Sequence, residues 1–477
     1  MNAKDEKTMK KLLSILIAAA MLLTASLSVA ESPMPGGMPG PGGPGEGMPG
    51  EPPSGGPGGM PPEGMPGQGG PGGSSAEITY TAGTEITSAE TRSDESFTSE
   101  TADESALLIN TADAVSILNP TVSKTGDSDG GDNCNFYGLN AAVLVMGGSQ
   151  TVISGGTITS DADGANGVFS YGGNGGQNGA EGDGTTVTIS DTVITTTGNG
   201  SGGIMTTGGG VTYASNLSVE TSGRSSAAIR TDRGGGSVVV DGGTYSSNGL
   251  GSPAIYSTAD ITVSNAVLTS NLSEGVCIEG KNSITLNNCE MTANNTQCNG
   301  NATFLDTIMI YQSMSGDADS GTSSFTMNGG KLSSLNGHMF HVTNTHAVIS
   351  LNGVELVNED AGQILLSVCD DGWNGASNIA ELNAKGQRLE GTILVGENST
   401  LTLSLSDGSS FEGTISGEIT NSKGTAVSAS VGTVSVTLDE TSIWSLTADT
   451  YITELNGSRD NIITNGYTLY VNGTALE

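Results

Sequence analysis

Three sets of side chains in this 477-residue chain have the types and spacing to do chemistry. The first is a series of large and polar residues, Phe169, Met205, Arg230, Tyr256, Glu279, Tyr311 and His341, each just after a recurring apolar position. If successive members stack along one outward face, they set exposed aromatic faces beside hydrogen-bonding groups, a combination that suits sugar rings. The competing expectation is that they only make cross-strand pairs with one another. The second set is Arg224, Arg230 and Arg233, within ten positions of a chain that has 15 Lys and Arg against 50 Asp and Glu. Arginine is the bidentate partner of carboxylates, so this is a candidate anion site, unless the three pair internally with Asp232, Glu220 or Glu279. The third set is acidic: Asp127, Asp129 and Asp132 in one loop, Asp161 and Asp163 in another, and the shorter Asp317-Ala318-Asp319 and Asp370-Asp371. The D-x-D-G pattern resembles the start of a calcium loop, although no full twelve-residue loop ending in Glu follows and turn-forming Asp needs no metal. Calcium is therefore the one ion the sequence suggests, and no cofactor is required. His341 and His346 are five apart on presumed strands and should face opposite sides, so zinc is not expected.

These residues ride on a repeat. The apolar column Ile189, Ala214, Val240, Val263, Leu286 has intervals of 25, 26, 23 and 23 residues, and Ile153, Met327 and Leu351 extend it. Each member is followed by Ser, Asp or Asn and then by Asp191, Asn216, Gly242, Asn265 or Asn288, residues that accept a left-handed corner. A second apolar column, Ile204, Ile229, Ile255 and Ile278, returns about fifteen residues later. Short β-branched runs joined by such corners predict three strands per coil, stacked as a parallel β-helix at about 4.8 Å per coil. The abundance of Gly, Ser and Thr and the lack of a 3.6-residue period exclude a helical solenoid.

Composition divides the chain. Residues 1–30 read as a secretory signal: a Lys-rich start, the apolar run Leu12 to Leu23, and the small-residue site Ser28-Val29-Ala30. Residues 31–75 hold thirteen of the fifteen prolines in Met-Pro-Gly repeats and read as a disordered linker. Residues 76–110 are expected to cap the solenoid or form its first irregular coil, 111–435 to be the β-helix, and 436–477 to close its end. A net charge of −35 argues against nucleic acid or an anionic membrane as partner, and no membrane span is expected once the signal is removed. Five cysteines at irregular spacing argue against a disulfide framework; Cys289 reads as an inward-facing small residue, with a link to Cys298 left open.

The coils with Val-x-[Ser/Asn/Asp]-Gly corners resemble the right-handed parallel β-helix of the pectin-lyase-like superfamily. More narrowly, Asn140-Ala141-Ala142-Val143, Arg224 to Gly236, Ser252 to Ile261 and Glu279 to Ile284 resemble large secreted adhesin-like β-helix proteins of clostridial bacteria. The resemblance spans residues 76–477 and implies a secreted or cell-surface setting, with no catalytic role to carry over. Related secreted β-helices bind plant polysaccharide with calcium at acidic loops, but no motif here matches those sites well enough to transfer a residue. The expected function is therefore binding of a polysaccharide or a host or cell-surface glycan, as an adhesion module. The alternatives are a structural coat protein and a polysaccharide lyase. The lyase reading is disfavoured by the scarcity of bases and by the repulsion that so acidic a surface imposes on a polyanion.

Overall fold

A computed structural model of the chain describes residues 78–128, 131–175, 181–373 and 377–476. All of them fall in one compact unit, Pro66–Glu477. The expected signal, the whole of the expected linker (31–75) and the first residues of the expected cap lie outside the described residues.

Alternating inward and outward side chains on parallel strands give a β-helix with three faces. The first face is a sheet of fifteen strands in sequence order, from Thr81–Ile86 to Ile462–Ile463. The other two belong to one sheet of 22 strands that bends around the solenoid. Its second-face row includes Ala114–Leu118, Gln150–Ser154 and Thr186–Ser190, and its third-face row Thr121–Lys124, Thr157–Ser160 and Val193–Thr196. In Gly210–Thr221 and Gly236–Ser247 the two rows run together as one long strand.

The predicted apolar column holds in every coil: Ile153, Ile189, Ala214, Val240, Val263, Leu286, Met327 and Leu351 pair in succession. All are buried in one core that runs from Ile86 to Leu469. The corner after this column is set by backbone handedness. Asp191, Asn216, Asn265 and Asn288 have φ of 53°, 52°, 56° and 51°, and Gly242 has 75°. Asp and Asn tolerate this region because their short side chains bond locally, and Gly because it has no Cβ. The corner amides also stack: Asn288 Nδ2 donates to Asn265 Oδ1 at 3.1 Å, and Asn265 Nδ2 to Asp241 Oδ1 at 2.7 Å.

Regular coils begin earlier and end later than composition suggests. Thr81–Ile86, Glu90–Ser93 and Ser96–Ser99 already form a full coil on the next one. At the far end Thr433–Leu438 and Ile443–Leu446 continue the second and first faces, with the Trp444 ring stacked 5.6 Å from Phe411. Among the described residues no helix is long and apolar enough to cross a membrane.

Candidate functional site

Strand register decides which predicted site residues meet. Phe169, Met205, Arg230 and Tyr256 pair in succession on the outer side of the first face, as expected. The next partner of Tyr256 is Cys277, not Glu279, because Ile255 pairs with Val276 rather than Ile278. The column then runs through Met309 and His341 to Ser367. Glu279 and Tyr311 pair with each other one outward step away. The cause is a corner two residues shorter between Ser270 and Val276 than between Ser247 and Ile255. A slip of two residues keeps every side chain on its own face, so alternation in the sequence cannot register it.

The expectation of exposed aromatics is also corrected. Phe169, Met205 and His341 are fully buried, and Cys277, Met309, Glu279 and Tyr311 nearly so. A second layer covers the first face from outside. At the N-terminal side the helix Asp132–Tyr137 and its flanks lie there; Phe169 and Met205 pack with Leu108, Ala141 and Leu144, with Tyr137 against them. At the C-terminal side Trp373 lies 4.9 Å from Tyr311, Phe304 lies 4.7 Å from His341, and Ile419 joins Phe304, Cys369 and Leu394. Between these covers, Arg230 and Tyr256 remain partly exposed. They line an open cleft of about 200 Å³ with Ser225, Ala227, Gly251, Pro253 and Asn299.

The floor of the cleft is stiff. Successive third-to-first-face corners are tied by serines: the amides of Ser201 and Ser226 donate to Ser226 Oγ and Ser252 Oγ, each at 2.9 Å. Ser226 Oγ and Ser252 Oγ in turn donate to the Gly198 and Gly223 carbonyls. The charged groups below it are tied as well. Arg230 donates to Asp232 at 2.6 Å, to Asn135 Oδ1 at 3.1 Å and to the Ser225 carbonyl at 3.2 Å, and its guanidinium lies 5.6 Å from the Tyr256 ring. Burial pushes the Asp232 carboxyl up to about 6 despite Arg230 beside it. Tyr256 Oη donates to Glu279 Oε2 at 2.6 Å and Tyr311 Oη to the same oxygen at 3.2 Å. Burial, then the neighbouring Glu279 charge, raises both phenols well above their ordinary range.

The arginine set is split. Arg230 pairs with Asp232 as the internal alternative expects, while Arg233 grips Asp317 at 2.5 Å and lies 4.1 Å from the Phe136 ring. Arg224 stands exposed at the cleft rim, with one guanidinium nitrogen 3.2 Å from Asn299 Oδ1.

The acidic loops do not gather around a point. Asp127 Oδ1 accepts the Asp163 amide at 2.8 Å, Asp163 Oδ1 the Asn199 amide at 2.7 Å, and Asn199 Oδ1 the Arg224 amide at 3.0 Å. Stacked corners thus use these side chains as rungs along the solenoid axis. Asp161 accepts from the Thr197 hydroxyl, Asp132 begins the short helix, and Asp129 lies outside the described residues. Among the described residues no group of three or more His, Cys, Asp or Glu is placed to hold a metal. His338 and His341 both lie 2.7 Å from Ser367 Oγ, and His346 reaches Glu381 at 2.9 Å. None of the five cysteines forms a disulfide among the described residues, and Cys289 is buried as expected.

Sequence reasoning missed Asn299, Ser225, Pro253 and Trp373 as site residues, and read Asp317 as a loop acid rather than as the partner of Arg233. Asn299, Asp317 and Trp373 sit in insertions outside the strand columns, where periodicity carries no information. Ser225 alone carries a local signal: it adjoins the arginine run. No known family, curated protein or solved structure matches the chain.

Proposed function

We propose that the chain is an exported β-helix, secreted or held at the cell surface, that binds carbohydrate in the cleft over Arg230 and Tyr256 and so serves as an adhesion module. The observation that carries this reading is the cleft itself. It combines the Tyr256 ring and the apolar Ala227 and Pro253 with the hydrogen-bonding Ser225, Arg230 and Asn299. A rigid apolar floor with a few convergent polar groups is what a sugar ring needs. The N-terminal signal-like sequence and the acidic surface agree with export and with a partner that is not a polyanion. Calcium is not needed for this binding. The test is a panel of immobilised glycans and polysaccharides probed with the intact chain. Asn299→Trp, which fills the cleft, should abolish binding, and Thr269→Trp on the third face should leave it intact. Unchanged binding by Asn299→Trp would place the site elsewhere and end this proposal.

A further inference from the structure

We infer that the cleft selects an oligosaccharide of neutral sugars that carries a single carboxylated sugar, and that Arg224 reads the carboxylate. The inference rests on the carbohydrate-binding reading and narrows its ligand class.

The lining is the starting point. Ser225, Ala227, Arg230, Gly251, Pro253, Tyr256 and Asn299 include no carboxylate, in a chain where acids outnumber bases 50 to 15. The three clustered arginines differ in what they have left to offer. Arg230 is held by Asp232, Asn135 and a backbone carbonyl, and Arg233 by Asp317 and the Phe136 ring. Their charges are balanced inside the protein. Arg224 is exposed and makes no ion pair among the described residues; its guanidinium touches only the Asn299 amide oxygen, at 3.2 Å. A guanidinium has five donors in a planar fork, so most of it remains free for a two-point bond to a carboxylate.

Asn299 fixes where that fork sits. Its amide nitrogen packs over Gly251, where a Cβ would come within 2.3 Å of it, and its oxygen takes Arg224. The result is one oriented cation at the mouth of a cleft whose other charged group, Arg230, is balanced by Asp232. Electrostatics then sets how many acids the ligand can carry. Each acid on a polymer meets the repulsion of a protein of net charge −35, and of the three clustered arginines only Arg224 has no ion pair among the described residues to answer it. A ligand with one acid gains the bond and meets the repulsion once. A polyuronide meets it at every sugar.

The experiment is titration calorimetry of the intact chain with sialyllactose, lactose and polygalacturonate, repeated with Arg224→Gln and Arg224→Lys. Sialyllactose should bind at least about tenfold tighter than lactose, the scale of one charge-assisted bond. Arg224→Gln should bring the two within about twofold of each other, and Arg224→Lys should keep part of the preference. Equal binding of the two sugars by the unmodified chain, or a preference that survives Arg224→Gln, overturns the inference and leaves carbohydrate binding standing. Polygalacturonate that matches sialyllactose overturns the single-acid restriction. Failure of all three probes also overturns it, and the broader glycan panel then decides separately whether the cleft binds sugar at all.

Discussion

Replacing Arg230 with Met tests the charge arrangement under the cleft. The Arg230 and Asp232 side chains are only 13% and 4% exposed and lie 2.6 Å apart, so removal of the cation leaves a carboxylate in a dry site. The Asp232 carboxyl, already pushed up to about 6 by burial, must rise further without its partner. A folded pKa above the unfolded value of about 3.9 means that the folded chain keeps a proton which the unfolded chain releases. Stability contributed by this group is therefore present at low pH and lost as pH rises through the folded value. In the native protein that loss stops near pH 6; in Arg230→Met it continues at up to about 1.4 kcal/mol per pH unit. The variant should thus be less stable by about 1–2 kcal/mol at pH 4, from the lost hydrogen bonds to Asn135 and the Ser225 carbonyl. The deficit should grow to about 3–5 kcal/mol by pH 8, the range for a broken buried pair. Asp232→Asn added to Arg230→Met should remove the pH-dependent part. Urea unfolding at pH 4, 6 and 8 reads all three chains. A deficit that is the same at every pH, or one that the double variant fails to relieve, refutes the reasoning.

Val240→Asp puts an unpaired charge in the innermost column and should cost about 3–5 kcal/mol, whereas Thr269→Asp on the outer side of the third face should cost under about 1 kcal/mol; equal urea midpoints would contradict the register. Burial, and then the charge of His341, pushes the His338 imidazole down to about 3. Its contribution to stability is therefore full above about pH 6.5 and lost as pH falls toward 3, at up to about 1.4 kcal/mol per unit. His338→Gln should flatten the acid side of the melting-temperature profile, and an unchanged slope would exclude this group as the cause. Because the described acidic side chains act as rungs between coils, millimolar calcium should shift the melting temperature by less than about 2 °C; a larger rise would show a cation site that these residues do not form.

The fold was legible because a solenoid repeats its constraints. Ile189 through Leu286 each face inward, each is followed two positions later by a left-handed residue, and each coil repeats the statement made by its neighbour. The candidate site was legible only in part. Arg230 and Tyr256 lie on strands and could be placed by counting. Glu279 was misplaced because a two-residue slip is silent in the alternation, and Phe169 and His341 were expected outside because strand parity marks a face as outward without saying what covers it. Their covers, Tyr137 and Phe304, come from insertions that obey no period. The same limit hid the Arg233–Asp317 pair, whose members are 84 residues apart.

Insertion length also explains why the cleft lies where it does. The connection from the third face to the first runs from Lys124 to Val143 near one end and from Asn294 to Asp306 farther along; both are long enough to lay chain over the first face. Between them it shrinks to Ser160–Val168, Thr196–Ile204, Thr221–Ile229, Ser247–Ile255 and Ser270–Val276, and serines tie several of these tight corners to one another. The turns leaving the first face follow the same rule: long after Tyr171, Tyr311 and Val368, short after Thr231 and Ser257. Stacked strands make every coil alike, so a binding site on a solenoid must come from what breaks the repeat. Here the break is a run of short corners between long ones. It leaves two outward side chains partly uncovered, while Asn299, near the middle of the second long connection, forms one wall of the opening. Changes in the length of these connections, more than changes in the strands, are then the route by which such a scaffold would open, close or move its cleft.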